Sequence, residues 1–343
     1  MKTDIIVIGA GPVGLFTVFE AGLLGLRCTL IDNLDKPGGQ CAELYPDKPI
    51  YDIPGVPYQT AQEHVDALLK QIQPFDYDLL LNQRVNEIIN QKDDWQVTTS
   101  EGTTITAPNI FIAAGAGSFE PIKPNIPTNL DPYIDKSVFF SIKNKKQFKD
   151  KKIFIFGGGD SALDWTIELQ KIGSEITLVH RRDAFRGAPE SEKIVRQLHN
   201  EKKIKLLTPF IFKDFVDKKN VLNLELLNTD TKQTYKEDCE NVLFFYGLNK
   251  KLGPLLEWGL DNDGKKINVS TESYETNKSG IFAVGDINNY PGKMNLILSG
   301  FHETTLAVQK AYKRVFPGER VPFGYTTSST QLHEKLGVNH KEK

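Results

Sequence analysis

The sequence predicts an α/β chain built on two βαβ units, and three observations predict it. Near the N-terminus the apolar run Ile5 to Ile8 enters Gly9-Ala10-Gly11-Pro12-Val13-Gly14, then a small-residue helical segment and a second apolar run ending at Asp32. In mid-chain, Lys152 to Phe156 enters Gly157-Gly158-Gly159-Asp160-Ser161-Ala162, followed by a helical stretch to Ile172 and a returning strand, Glu175 to Val179. The third observation is length: 343 residues suit about two domains, each large enough for its own core.

In the first unit Gly9 allows a tight turn out of the strand, Gly11 lets the backbone approach a diphosphate, and Gly14 lets the helix pack on the strand. The helix N-terminus faces that diphosphate with free N–H groups and partial positive charge. Asp32 stands where an acid accepts hydrogen bonds from a ribose hydroxyl. The spacing fits a dinucleotide-binding turn, because strand, glycine turn, helix and acid occur in that order.

The next stretch, Lys36 to Pro46, reads as a loop dense in breakers, with a Gly38-Gly39 pair able to approach a large ligand and Tyr45 able to stack on its ring. Residues 59 to 73 place Ala61, Val65, Leu68, Leu69 and Ile72 on one helical face. Arg84 to Ile89, Trp95 to Thr99 and Thr103 to Ala107 read as strands, and Asn109 to Ala113 as a buried one. Four prolines between Phe119 and Pro132 suit a domain boundary.

The second unit departs from the first at the end of its returning strand. Where an acid would grip a ribose hydroxyl, the chain reads His180-Arg181-Arg182-Asp183-Ala184-Phe185-Arg186. Guanidinium forks bind phosphate bidentately, so this end suits a 2′-phosphate and NADP(H) over NAD(H). Residues 204 to 246 read as several short strands completing the second domain, among them Ile204 to Leu207, Val221 to Leu227 and Val242 to Phe245. Ile281 to Val284 is a further strand, ending in Gly285-Asp286, and Met294 to Tyr312 reads as a helix. The segment Gly324 to Ser329 reads as a polar tail with one aromatic.

Composition excludes several classes. A formal charge of −2 offers no basis for nucleic-acid or membrane-surface binding, and no apolar run approaches the length of a membrane span. With no signal-like N-terminus, a cytoplasmic location is expected. Cys28, Cys41 and Cys239 are too far apart to form a CxxC pair, and no metal site is expected.

The ordered set GAGPVG, GGQ, LYP, GGGDSALDW, HRRDAFR and VGD resembles the flavoprotein disulfide reductases with two dinucleotide-binding domains, thioredoxin reductase nearest. The chain departs from them at the redox dithiol: Ser137 to Ile142 holds no cysteine, and Pro46 stands five residues after Cys41. Without a dithiol, electrons cannot leave through a protein disulfide. Together with GGQCAELYP and PFGYTTSSTQL, this departure resembles the thioredoxin-reductase-like, type 2 ferredoxin–NADP⁺ reductases.

That resemblance implies two Rossmann-like domains, an NADPH domain (119–279) inserted into an FAD domain (1–118 and 280–343). It implies FAD contacts from Gly9, Gly11, Gly14, Asp32, Gly39, Gln40, Tyr45, Val85, Phe119, Asp286, Tyr325 and Thr327. NADP contacts fall on Gly157, Gly159, Asp160, Ser161, Arg181, Arg182 and Arg186. Tyr45 and Tyr325 would stack on the two flavin faces, with no acid or base residue, and deleting residues 323 to 343 should change the hydride-transfer rate. The implied activity passes electrons between NADPH and a ferredoxin or flavodoxin, in a homodimer. An NADPH oxidase or quinone reductase shares every motif, and a flavin and NADPH sensor without turnover is a further alternative. The lysines at 143, 145, 146, 149, 151 and 152 form a basic run able to steer an acidic partner.

Overall fold

The computed structural model describes residues 1–115, 117, 120–219, 221–249, 252–322, 326 and 329–335. The chain forms two compact units, residues 1–118 with 250–343, and residues 119–249.

The first unit is organised by a five-stranded parallel sheet in the order Ile281–Ala283, Asn109–Ile112, Ile5–Ile8, Cys28–Ile31, Tyr77–Leu80. Its inner strands carry apolar residues on both faces, as expected where both faces are covered. One face, with Val7, Leu30, Phe111 and Phe282, packs on helical Leu15, Val18, Val65, Leu68 and Val308. The other, with Ile6, Ile110 and Ile112, packs on Val97 and Ile105 of an antiparallel three-stranded sheet.

Register fixes what this sheet presents. Ile8 pairs with both Ile31 and Ile112, and Ile112 pairs with Ala283. Gly9, Asp32, Ala113 and Val284 therefore leave the sheet at one carboxyl edge, where open α/β sheets bind ligands. The helices against it are Pro12–Leu23, Ala61–Ile72 and Ile297–Val315. Ala61–Ile72 starts with a capping box, Thr60 and Glu63 each bonding the other's backbone N–H.

The second unit repeats the plan with a parallel sheet ordered Val138–Phe139, Asn241–Phe245, Lys152–Gly157, Glu175–Val179, Lys205–Leu207. Helices Asp160–Gln170 and Pro189–Asn200 accompany it, with an antiparallel sheet of Phe210–Asp217, Leu222–Asn228 and Thr234–Cys239.

The structure differs from the sequence reading in several places. The loop at 36–46 contains a helical turn, Gly39–Glu43, which Gly38 admits by adopting φ 118°. The central helix of the second unit starts at Asp160, two residues earlier than expected, and ends at Gln170. Tyr77–Leu80 and Pro189–Asn200 were not legible as elements, and Phe210–Asp217 and Thr234–Cys239 fall within the 204–246 stretch of short strands without having been bounded there. Thr234–Cys239 reads TYKEDC, with no apolar alternation, and Pro189–Asn200 carries only three aliphatic residues, Ile194, Val195 and Leu198, of which Val195 alone is buried.

The second cut in the chain falls at 249, not 279. Leu252, Leu255, Trp258, Leu260 and Ile267 join the core of Ile6, Ile110 and Val97, and Trp258 Nε1 donates to the Asn86 carbonyl at 3.2 Å. A short 3₁₀ helix, Gly253–Trp258, has no sequence period that reveals so distant a partner. Among the described residues no helix is long and apolar enough to cross a membrane.

Candidate functional site

The first unit's carboxyl edge is a cradle made of backbone. Gly9 has φ +107°, and a Cβ there would stand 2.4 Å from the Ala113 carbonyl oxygen. A Cβ on Gly14 would stand 1.8 Å from the Gly9 oxygen, so that glycine sets how closely helix and strand approach. Around Gly11 the space is open: its Cβ would meet only the Gly39 Cα, at 3.8 Å. Gly11 also caps the Pro12–Leu23 helix with no side-chain hydrogen bond. The first-turn N–H groups are thereby left for an anion, as a diphosphate requires.

The loop after the second strand closes on this cradle. Gly39, at φ +55°, lies so close that its Cβ would stand 2.9 Å from the Gly11 Cα, and Gly38 N donates to the Ala10 carbonyl at 2.8 Å. Asp32 takes Ala10 N at 2.6 Å on one oxygen and Leu34 N at 2.9 Å on the other. Burial raises its carboxyl above the ordinary range, and the backbone N–H groups oppose that rise. With Asn33 N–H also directed at it, the carboxylate keeps one lone pair for a ribose hydroxyl. The Gln40 side chain lies beside Gly115, whose Cβ would meet Gln40 Nε2 at 3.4 Å.

Tyr45 is half-buried at the end of that loop, with Lys48 Nζ 5.9 Å from its ring centroid. Cys41 beside it is buried, and burial pushes its thiol up to about 11, with the Tyr45 hydroxyl opposing and the Asp286 charge adding. Asp286 also raises the Tyr45 phenol, so the structure brings Asp286 to the same place as Cys41 and Tyr45. Asp286 sits in the 3₁₀ turn Gly285–Ile287, immediately past the Ile281–Ala283 strand. Val85 is buried in the second core with Ile6 and Ile31. Phe119, Tyr325 and Thr327 lie outside the described residues.

Sequence reasoning missed what holds Asp286. Glu303, on helix Ile297–Val315, is completely buried and accepts from Gly285 N (2.7 Å), Asn288 Nδ2 (2.7 Å), Tyr290 Oη (2.9 Å) and Lys293 Nζ. The Lys293 side chain is itself 4% exposed, so this is a buried ion pair. A lone acid in a helical stretch gave no sign of this in the sequence.

The second unit carries a second cradle. A Cβ on Gly157 would stand 2.7 Å from the Phe245 oxygen, and one on Gly158 would enter the His180 ring, at 2.3 Å from Cε1. Gly159 faces open space, with no atom within 4 Å of a Cβ, and caps helix Asp160–Gln170 without a side-chain bond. Ser161 is exposed on its first turn.

Arg181, Arg182 and Arg186 are exposed, and none makes an ion pair among the described residues. Their loop is tied to the glycine turn: Arg186 N donates to the Gly158 carbonyl at 2.6 Å and Ala188 N to Asp160 Oδ1 at 2.7 Å. The His180 ring stacks on Phe185 with centroids 5.3 Å apart, and burial, then Arg181, holds it below the usual imidazole range. Tyr246, past the neighbouring strand, is a residue the sequence did not single out. Burial pushes its phenol up and the nearby Arg181 charge opposes this.

The basic run is partly neutralised by its own unit. Lys151 pairs with Glu240 at 2.6 Å, Lys145 with Glu168 at 3.6 Å, and Lys152 lies 3.9 Å from Glu175 and Glu237. The steering patch expected from composition is correspondingly smaller. All three cysteines are free and buried, and burial also raises the thiols of Cys28 and Cys239, the latter to about 12. They stay protonated at neutral pH and are poor nucleophiles.

Both cradles fit a dinucleotide: an uncapped helix start, a glycine with open space before it, and a polar strand end beside it. FAD suits the first, with Asp32 for a ribose hydroxyl, and NADP(H) the second, with its free arginines.

Comparison with known proteins agrees. The ferredoxin–NADP reductase of Pelagibacter ubique is 49% identical over 339 residues, covering 98% of this chain and 99% of the relative. That of Mesorhizobium japonicum is 48% identical and covers 98% of each. Among solved structures, Lactococcus lactis thioredoxin reductase superposes with a TM-score of 0.77 at 22% identity, over 92% of this chain and 99% of that one, which supports the fold. Residues 3–311 match the family described as pyridine nucleotide-disulphide oxidoreductase. With these two cradles and that match, the chain belongs to the pyridine nucleotide-disulphide oxidoreductase family.

Proposed function

We propose that this chain is a ferredoxin–NADP⁺ reductase: an FAD enzyme that passes electrons between NADPH and a ferredoxin or flavodoxin without a redox dithiol. The observation that carries the reading is the coexistence of two dinucleotide cradles with three separate, buried, protonated cysteines. Near-full-length relatives bearing that name support it.

In this reading residues 1–118 and 250–343 hold FAD and residues 119–249 hold NADPH. The Gly9 to Gly14 turn receives the flavin diphosphate on backbone N–H groups, and Asp32 orients the adenosine ribose. Gly39 keeps the ligand's path free of side chains, and Gln40, Val85, Phe119, Asp286 and Thr327 complete the contacts. Tyr45 and Tyr325 exclude water from the two faces of the ring. The chemistry that bound FAD supplies is hydride acceptance and one-electron release, and no side chain is needed as acid, base or nucleophile. Gly157, Gly159 and Ser161 receive the NADPH diphosphate, and Arg181, Arg182 and Arg186 neutralise its 2′-phosphate. The proposal extends to a cytoplasmic homodimer, which size-exclusion chromatography with light scattering tests.

The deciding experiment is anaerobic stopped-flow absorbance of the yellow protein, mixed first with NADPH and then with oxidised ferredoxin. Bleaching followed by fast reoxidation supports the reading. Slow reoxidation by ferredoxin with fast reoxidation by quinone or oxygen makes it a small-molecule reductase, and a colourless protein removes the flavin.

A further inference from the structure

An acid stands where the second cradle meets phosphate. Asp160 opens the helix whose uncapped N-terminus faces the nucleotide, and a carboxylate pointing at a diphosphate opposes binding. The structure commits this acid elsewhere. Asp160 Oδ1 accepts the Ala188 N–H at 2.7 Å.

That bond is one of two that tie the arginine loop to the glycine turn, the other running from Arg186 N to the Gly158 carbonyl at 2.6 Å. Between them Gly187 passes so close that a Cβ would stand 3.2 Å from Asp160 N and 2.5 Å from Leu163 Cδ1. The loop from Arg181 to Ala188 is thus clasped onto the helix start at Arg186 and Ala188, and the exposed guanidinium groups are carried by the clasped segment. An anchored loop presents them without the entropy cost of ordering it at binding.

We propose that Asp160 is a positioning residue for dinucleotide selectivity: through Ala188 N it sets the arginine loop for the 2′-phosphate, and does not itself contact the nucleotide. The inference rests on the NADP(H) reading of the second cradle. It assigns the role of this acid to an acceptor oxygen and not to its negative charge.

The test uses the FAD-loaded full chain, titrated with adenosine 2′,5′-bisphosphate and with 5′-AMP by calorimetry, for the wild type, Asp160→Ala and Asp160→Asn. Loss of the clasp in Asp160→Ala should weaken the bisphosphate about tenfold and leave 5′-AMP within about twofold. Asp160→Asn keeps an acceptor oxygen and should bind the bisphosphate within about twofold of wild type. In turnover, Asp160→Ala should raise KM for NADPH with kcat unchanged.

If the acid acts only by its charge near phosphate, both variants bind both nucleotides more tightly and the proposal fails. Equal weakening of the two nucleotides, or equal weakening by both variants, also overturns it. A wild type that does not prefer the bisphosphate overturns the NADP(H) reading instead, which separates the two failures.

Discussion

Glu303 accepts the backbone N–H of Gly285 at 2.7 Å, so a buried carboxylate on one helix holds the turn that carries Asp286. The same carboxylate is paired with Lys293, whose side chain is 4% exposed. Breaking such a pair from one side leaves an uncompensated buried charge. Lys293→Met should therefore destabilise the protein by about 3 to 5 kcal/mol and lower the flavin-to-protein absorbance ratio, as Asp286 is no longer fixed. Adding Glu303→Gln to that variant should recover part of the stability, because the two residues are coupled. Thermal unfolding of the four proteins checks this; additive losses refute it.

The glycines of the two cradles should respond differently to a methyl group. Gly14→Ala places a Cβ 1.8 Å from the Gly9 oxygen, a backbone clash that should cost about 3 kcal/mol and yield colourless protein. Gly159→Ala meets no atom within 4 Å. Its stability and flavin content should match wild type, while its affinity for NADPH falls about tenfold because the methyl enters the phosphate path. Denaturant unfolding and NADPH titration distinguish the two.

Arg181 and Arg182 are exposed at the end of the second returning strand, where the first unit has Asp32. Charge-assisted bonds from guanidinium to phosphate are strong, so replacing both by Ala should raise KM for NADPH about 100-fold. KM for NADH should change less than about threefold, since NADH has no 2′-phosphate to lose. Steady-state kinetics with both donors checks it.

A pH effect follows from His64, which is 4% exposed and takes Gln59 Nε2 at 2.8 Å on Nδ1, with its Nε2 unbonded and Phe301 beside the ring. Burial lowers its pKa below the usual value of 6.5, against the opposing charge of Asp52. The unfolded chain therefore takes the extra proton first as pH falls, and stability drops below about pH 6.5 while staying level above it for this group. His64→Leu should flatten the stability profile below about pH 6.5, measured by urea unfolding.

The two cradles were legible because each is local. A strand of unbroken apolar residues, glycines at fixed offsets and an acid or arginines at the next strand end all lie within about thirty residues. The elements that escaped notice were those whose partners are remote. Tyr77–Leu80 pairs with Cys28–Ile31 and is only half-buried, so its pattern is weak. Residues 252 to 267 join the first unit through Leu255 and Trp258, contacts to residues more than a hundred positions away. Of the site, Asp32, Tyr45 and the arginines could be named from spacing or resemblance, whereas Glu303 and Lys293 could not.

What the sequence determined by itself is the pair of dinucleotide turns, the absence of a dithiol and the exchange of an acid for arginines at the second strand end. These are short-range chemistry, set by which residue types stand at which offset. Only the tertiary structure decided that Asp160 Oδ1 accepts the Ala188 N–H of the arginine loop, and that the turn carrying Asp286 is held by the carboxylate of a buried ion pair. It also decided that Cys41 is a buried, protonated thiol beside Tyr45. The physical reason is that direction, burial and partner depend on packing between segments far apart in the chain.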